Sequence, residues 1–215
     1  MDEKNIIAKR VAKEIKDGDL VNLGIGIPTL VSNYIDSSTE ILLQSENGLV
    51  GKFCSAEAGE EDKDITNAGG GFLKVEAGCS FIDSVTSFTI IRGGHVDVTI
   101  LGALQVDESG NLASHIIPGK MVSGMGGAMD LIAGAKKVIV ATTHNAKGDA
   151  PKILRNCTLP LTATKRVNFI VTELAFIEVT NEGLVLREIS ENTTVEEVIA
   201  KTEAHLTVAS DLKTF

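Results

Sequence analysis

Four short apolar runs, each stopping at a glycine or a polar turn, constrain this chain more than any other feature. They are Leu20-Val21-Asn22-Leu23 before Gly24, Ile41-Leu42-Leu43 before Gln44-Ser45-Glu46, Val96 to Leu101 before Gly102, and Val138-Ile139-Val140-Ala141 before Thr142. Runs this short and this apolar read as buried strands rather than helices. Helical patterns lie between them, and strands alternating with helices read as an α/β fold. The 215 residues carry no internal repeat, low-complexity tract or linker. Residues 1–215 are therefore expected to form one domain with a sizeable core.

In parallel α/β sheets, ligands bind at the carboxyl ends of the strands. Ser45-Glu46-Asn47-Gly48 follows the Ile41–Leu43 run directly, so Glu46 stands where a functional carboxylate is expected. From local spacing alone the segment reads equally well as a plain turn.

Two glycine-rich segments add further candidates. Gly24-Ile25-Gly26-Ile27-Pro28 follows the first strand, with Pro28 suited to the first position of a helix. Backbone N–H groups at such a turn can receive an anionic group. The third glycine of a dinucleotide fingerprint is missing, and tight packing explains the pair more simply. Gly124, Gly126 and Gly127 precede an Ala128-Met129-Asp130-Leu131 helix that is predicted to reach about Ala135. That loop suits an anion or a strand-to-helix packing turn equally. Lys147, in the polar loop after Ala141, reads as a surface lysine rather than a phosphate ligand.

Elsewhere the pattern predicts an amphipathic helix from Glu3 to Lys16, ended near Gly18. It gives strand-like alternation from Phe72 to Phe88, while Phe88 to Ile91 reads as the end of a helix or of a strand. Gly102 to Val106 is expected to extend the Val96–Leu101 strand. A hairpin turns at Thr180-Asn181-Glu182-Gly183. A last helix runs from about Thr194 to Thr202, with an edge strand at Thr207–Ala209.

Composition narrows the function classes. A net charge of -9 argues against general nucleic-acid binding. Cys54, Cys79 and Cys157 form no Cys-x-x-Cys pair, and the four histidines lack ligand spacing, so no metal site is expected. The cysteine usage fits a reducing compartment. No apolar run reaches the length of a membrane span, and Asp2 and Glu3 stand where a signal peptide would be basic. The expectation is a cytoplasmic protein with no membrane partner.

Leu43 to Gly51 resembles the active-site signature of the class I, 3-oxoacid-type CoA-transferases, in which the glutamate of Ser-Glu-Asn-Gly is the nucleophile. Further blocks are similar to the same family: Asn22 to Thr29, Arg92 to Asp97, Leu101 to Val106, Pro118 to Met121, Gly124 to Leu131, and Cys157 to Thr162. The resemblance covers nearly the whole chain and is narrowest to the β subunit of acetate or butyrate–acetoacetate CoA-transferases. It implies an open, mainly parallel sheet with flanking helices, shared with ribose-phosphate isomerases. It also implies a separate α subunit, commonly in an assembly of two α and two β chains. Glu46 would be the nucleophile, with Gly127 and Ala128 close to the CoA thioester. Asn22, Gly24, Gly26, Gly124 and Gly126 would line the CoA and oxyanion site, and Asn47 would hold the turn or join that site. Acyl-CoA and a carboxylate are the implied substrates. CoA serves as substrate and covalent intermediate, and no cofactor is permanently bound.

Two departures bear on fine contacts. The fused 3-oxoacid enzymes tend to carry a lysine where this chain has Gly70, and Leu112-Ala113-Ser114-His115 replaces a common Asn-Trp pair. Rival readings are a non-catalytic subunit, a sugar-phosphate isomerase, or a different carboxylate pair such as succinate with acetoacetate. Retention of Glu46 disfavours the first. The lack of basic residues beside the glycine turns, Lys120 apart, disfavours the second.

Overall fold

A computed structural model describes residues 2–215. Its centre is a ten-stranded sheet. Five neighbouring strands at its middle are parallel, in the spatial order Phe169–Val171, Lys137–Ala141, Val98–Leu101, Leu20–Leu23 and Leu42–Ser45. Antiparallel pairings extend the sheet through Leu49–Gly51 and Ser80–Phe81 on one side. On the other they extend it through Ala175–Thr180 and Gly183–Ile189, the hairpin expected from sequence.

Alternation along the central strands divides the core between the two faces. Val21, Leu43, Val98, Ile100, Ile139 and Val171 meet Ile7 and Val11 of helix α1 (Glu3–Ala12) and Val31 of a 3-10 helix (Ile27–Tyr34). Leu101, Val138, Val140 and Ile170 belong to the other cluster, with Ile91 of α2 (Ser84–Arg92), Leu131 and Ile132 of α3 (Ala128–Gly134) and Val198 of α4 (Val195–Lys201). Three of the helices begin on side-chain caps. Asp2 accepts from the Asn5 N–H, Asp83 from Thr86 and Thr194 from Glu197.

Several elements differ from expectation. Helix α1 ends at Ala12 rather than Lys16. Its last turn tightens into i−3 bonds (Glu14 N–H to Val11 C=O, Ile15 N–H to Ala12 C=O), which still bury Ile15. The Phe72–Phe88 segment holds two short strands, Leu73–Val75 and Ser80–Phe81, and then the start of α2. Phe88 to Ile91 is thus helical, because Asp83 caps the turn and Ser87 and Ile91 bury against neighbouring elements. Gly102 does not extend the preceding strand. The chain leaves the sheet there, and Gln105–Asp107 joins a three-stranded sheet with Leu112–Ala113 and Ile153–Leu154. The edge strand is longer than expected, Leu206–Thr214, paired parallel to Gly183–Ile189. Among the described residues no helix is long and apolar enough to cross a membrane.

Candidate active site

The strands Leu20–Leu23 and Leu42–Ser45 run parallel, with Asn22 level with Gln44. Asn22 and Gln44 therefore project side by side, and the turn just past the strand brings the Glu46 carboxylate toward the same Asn22 side chain. The Asn22 Nδ2 donates to the Gln44 carbonyl oxygen at 2.9 Å and to Gln44 Oε1 at 2.7 Å. Its third acceptor, Glu46 Oε2, is 3.5 Å away. Gln44 Nε2 donates in turn to Ser87 Oγ of α2 at 2.9 Å. Asn22, Gln44 and Ser87 are all buried, and Asn22 Oδ1 has no hydrogen-bond partner among the described residues.

The turn that carries Glu46 is braced from behind. Gly48 N–H donates to the Ser45 carbonyl, and Ile82 N–H donates to the Gly48 carbonyl. Asn47 is exposed and turns away, its Nδ2 donating to the Thr66 carbonyl at 2.7 Å. Ala68 N–H donates to Ser45 Oγ at 3.2 Å. These two bonds tie the 66–71 loop to the Ser45–Gly48 turn.

The 124–128 loop forms the opposite wall. A Cβ on Gly127 would lie 3.2 Å from Glu46 Cγ, and one on Gly126 would lie 3.6 Å from Glu46 Oε1. The Ala128 N–H is already bonded to the Met125 carbonyl at 3.1 Å, whereas the Gly127 N–H has no acceptor among the described residues. Between the walls lies a cavity of about 510 Å³. Among the described residues that line it, Glu46 is the sole carboxylate.

The structure therefore gathers Asn22, Gly24, Glu46, Gly124, Gly126 and Ala128 at one cavity, with Gly127 packed on the Glu46 side chain. The Gly24 N–H is committed to the Ile100 carbonyl at 2.8 Å, so Gly24 offers wall rather than donor. Gly26 and Asn47 are not brought in. Gly26 uses its carbonyl to accept from Thr29 at the start of the 3-10 helix, and Asn47 serves the loop behind the turn.

Sequence reasoning missed the floor. Gly102, Ala103 and Leu104 line the cavity beyond the carboxyl end of Val98–Leu101, as do Ser114 and the buried His115, whose Nδ1 lies 3.0 Å from Thr162 Oγ1. The rule that singled out Glu46, small or polar residues just past a parallel strand, would have found Gly102 and Ala103 had the strand not been extended through them.

A model of the family described as Coenzyme A transferase matches residues 4–201. The beta subunit of the acetate CoA-transferase of Escherichia coli K12 is 51% identical over 214 residues, spanning 100% of this chain and 98% of that protein. One subunit of the succinyl-CoA:3-ketoacid coenzyme A transferase of Helicobacter pylori 26695 is 46% identical over 205 residues, 95% of this chain and 99% of that one. The fold is shared with an acyl-CoA transferase of Escherichia coli O157:H7 at a TM-score of 0.80 and 21% identity, over all of this chain and 43% of the other. Matched along nearly its full length, the chain belongs to the coenzyme A transferase family and is an enzyme subunit of that class.

Proposed function

We propose that this chain is the catalytic β subunit of a CoA-transferase that works through a glutamyl-CoA thioester on Glu46. The observation that carries the reading is the isolation of Glu46 as the one carboxylate among the described residues lining a large cavity at the carboxyl ends of adjacent parallel strands. A Glu46 oxygen attacks the thioester carbonyl of an acyl-CoA. Collapse of the tetrahedral adduct breaks the C–S bond and gives an acyl–glutamyl anhydride and CoA thiolate. The thiolate attacks the glutamyl carbonyl, expels the carboxylate, and leaves CoA bonded through sulfur to Glu46. An acceptor carboxylate then runs these steps in reverse and departs as the new acyl-CoA. Bonds are exchanged one for one, so the cycle consumes no redox equivalent.

Each addition places negative charge on a carbonyl oxygen, which preorganised donors must stabilise. The Gly127 N–H, beside Glu46 and without an acceptor among the described residues, is suited to that task. The Ala128 N–H would first have to leave Met125.

Acetoacetyl-CoA or another short-chain acyl-CoA, with acetate or butyrate as acceptor, is the substrate pair we favour, in line with the acetate CoA-transferase relative. A succinyl-CoA:3-oxoacid pair is the alternative supported by the second relative. Because both relatives are named as subunits, we assign an α partner to this chain. An assembly of two α and two β chains in the cytoplasm is part of the same proposal and rests on the resemblance of the sequence blocks. Initial velocities of the reconstituted complex, with acyl-CoA and carboxylate both varied, should give parallel double-reciprocal lines, and Glu46→Gln should abolish turnover. Intersecting lines would exclude a covalent intermediate that forms before the acceptor binds.

A further inference from the structure

Asn22 has two amide hydrogens and three acceptors within reach. The shorter contacts give both hydrogens to Gln44, at 2.9 Å to its carbonyl and 2.7 Å to its Oε1, and leave Glu46 Oε2 the distant third at 3.5 Å. A carboxamide cannot serve three acceptors fully with two hydrogens. How strongly Asn22 holds Glu46 is therefore decided by how firmly Gln44 holds Asn22. Gln44 is firm. It is buried, its backbone lies in the sheet, and its Nε2 is anchored on Ser87 Oγ, which fixes Oε1 toward Asn22 rather than away from it.

We infer that Gln44 is a positioning residue, which with its anchor Ser87 draws the Asn22 amide away from Glu46 and so leaves the Glu46 carboxylate free to attack. The inference rests on the reading of Glu46 as nucleophile. Hydrogen bonds to a charged oxygen are strong, and one made to the ground-state carboxylate must be given up as its charge passes to the substrate. Freeing the hydrogen that Gln44 Oε1 holds, with the one on the Gln44 carbonyl kept, would let Asn22 quench the nucleophile. Gln44 does not line the large cavity, so its loss should spare the binding of acyl-CoA.

The test is single-turnover release of the free acid from acetoacetyl-CoA by the reconstituted complex, without acceptor, read as a rate constant and an amplitude. Gln44→Leu should slow the rate constant about tenfold to a hundredfold while the amplitude and the KM for acyl-CoA stay close to wild type. Ser87→Ala, which keeps Gln44 and loosens only its anchor, should move the rate constant the same way by less, and Ser87→Thr should restore it. Because the effect acts through Asn22, Gln44→Leu should be silent in an Asn22→Ala background. A lowered amplitude at an unchanged rate constant, an effect that persists without Asn22, or a faster rate would each overturn the inference. Glu46→Gln is the separate control. If it still releases acid, the nucleophile reading fails; if it does not, and the Gln44 and Ser87 variants behave as wild type, only the positioning role fails.

Discussion

Gly127 faces the side chain of Glu46 so closely that a Cβ there would sit 3.2 Å from Glu46 Cγ and 3.5 Å from Cδ. The Gly127 φ of -81° is open to any L residue, so Gly127→Ala introduces no backbone strain. The methyl must be accommodated by Glu46, which shifts by a few tenths of an ångström. Gly127→Ala should thus melt within a few degrees of wild type and yet lose roughly tenfold or more in kcat, since misplacing a reacting group by 1 Å can cost about a hundredfold. Thermal melts and steady-state rates of the same preparation separate the two.

Gly48, two residues beyond Glu46, should behave in the opposite way. Its φ is +120°, and a Cβ would approach the Ile82 carbonyl oxygen to 2.2 Å. Gly48→Ala combines left-handed strain with a clash against the carbonyl of Ile82, the residue whose N–H braces the turn. A loss of about 3 kcal/mol or more is expected in urea unfolding, with activity lost because the turn unfolds.

An ion pair between the buried Arg10 and the half-buried Glu188 links α1 to the strand Gly183–Ile189. The guanidinium donates from Nε to Glu188 Oε2 at 2.7 Å and from Nη2 to Oε1 at 2.8 Å, and it lies 3.9 Å from the Phe176 ring centre. With Arg10 only 4% exposed, Arg10→Met leaves the half-buried Glu188 carboxylate without its bidentate partner and Glu14 without its contact to Nη1, and should cost about 2 kcal/mol. Adding Glu188→Leu should recover much of that loss. Denaturant midpoints of the single and double variants check both statements.

His144 sets a pH dependence of stability. Burial, with Lys201 a smaller cause, lowers its pKa from 6.5 to about 4, and its ring is held between the Thr172 and Thr202 hydroxyls. The unfolded chain binds this proton first as pH falls. The contribution is therefore complete above pH 6.5 and is lost as pH falls toward about 4, on the order of 3 kcal/mol in all. Glu173, raised by burial, opposes this trend, so the comparison to make is wild type against His144→Gln. The difference between their unfolding free energies should shrink between pH 6.5 and about 4.

The parallel strands were legible because an apolar run flanked by turns has few other uses; the rule about their carboxyl ends made Glu46 a candidate that local spacing could not separate from a plain turn, and the resemblance of Leu43 to Gly51 singled it out. Helix α2 was not. Ser84 to Arg92 is rich in β-branched and aromatic residues that favour strands, and its helicity comes from the Asp83 cap and from burial that local pattern does not reveal. The same holds at the site. Asn47 adjoins Glu46 in sequence but spends its side chain on the Thr66 carbonyl, whereas Gln44 and Ser87, 43 positions apart, meet only through the fold.

The central claim is a covalent bond between CoA and Glu46, and trapping tests it most directly. The complex of this chain with its α partner is mixed with acetoacetyl-CoA without acceptor, reduced with borohydride, digested with trypsin and weighed. Borohydride converts a glutamyl thioester to the alcohol, so the Asp17–Lys52 peptide should lose mass at Glu46, and prior addition of acetate should prevent the loss. An unaltered Glu46 in a complex that still transfers CoA would contradict the account and would mean that the acceptor attacks the acyl-CoA directly.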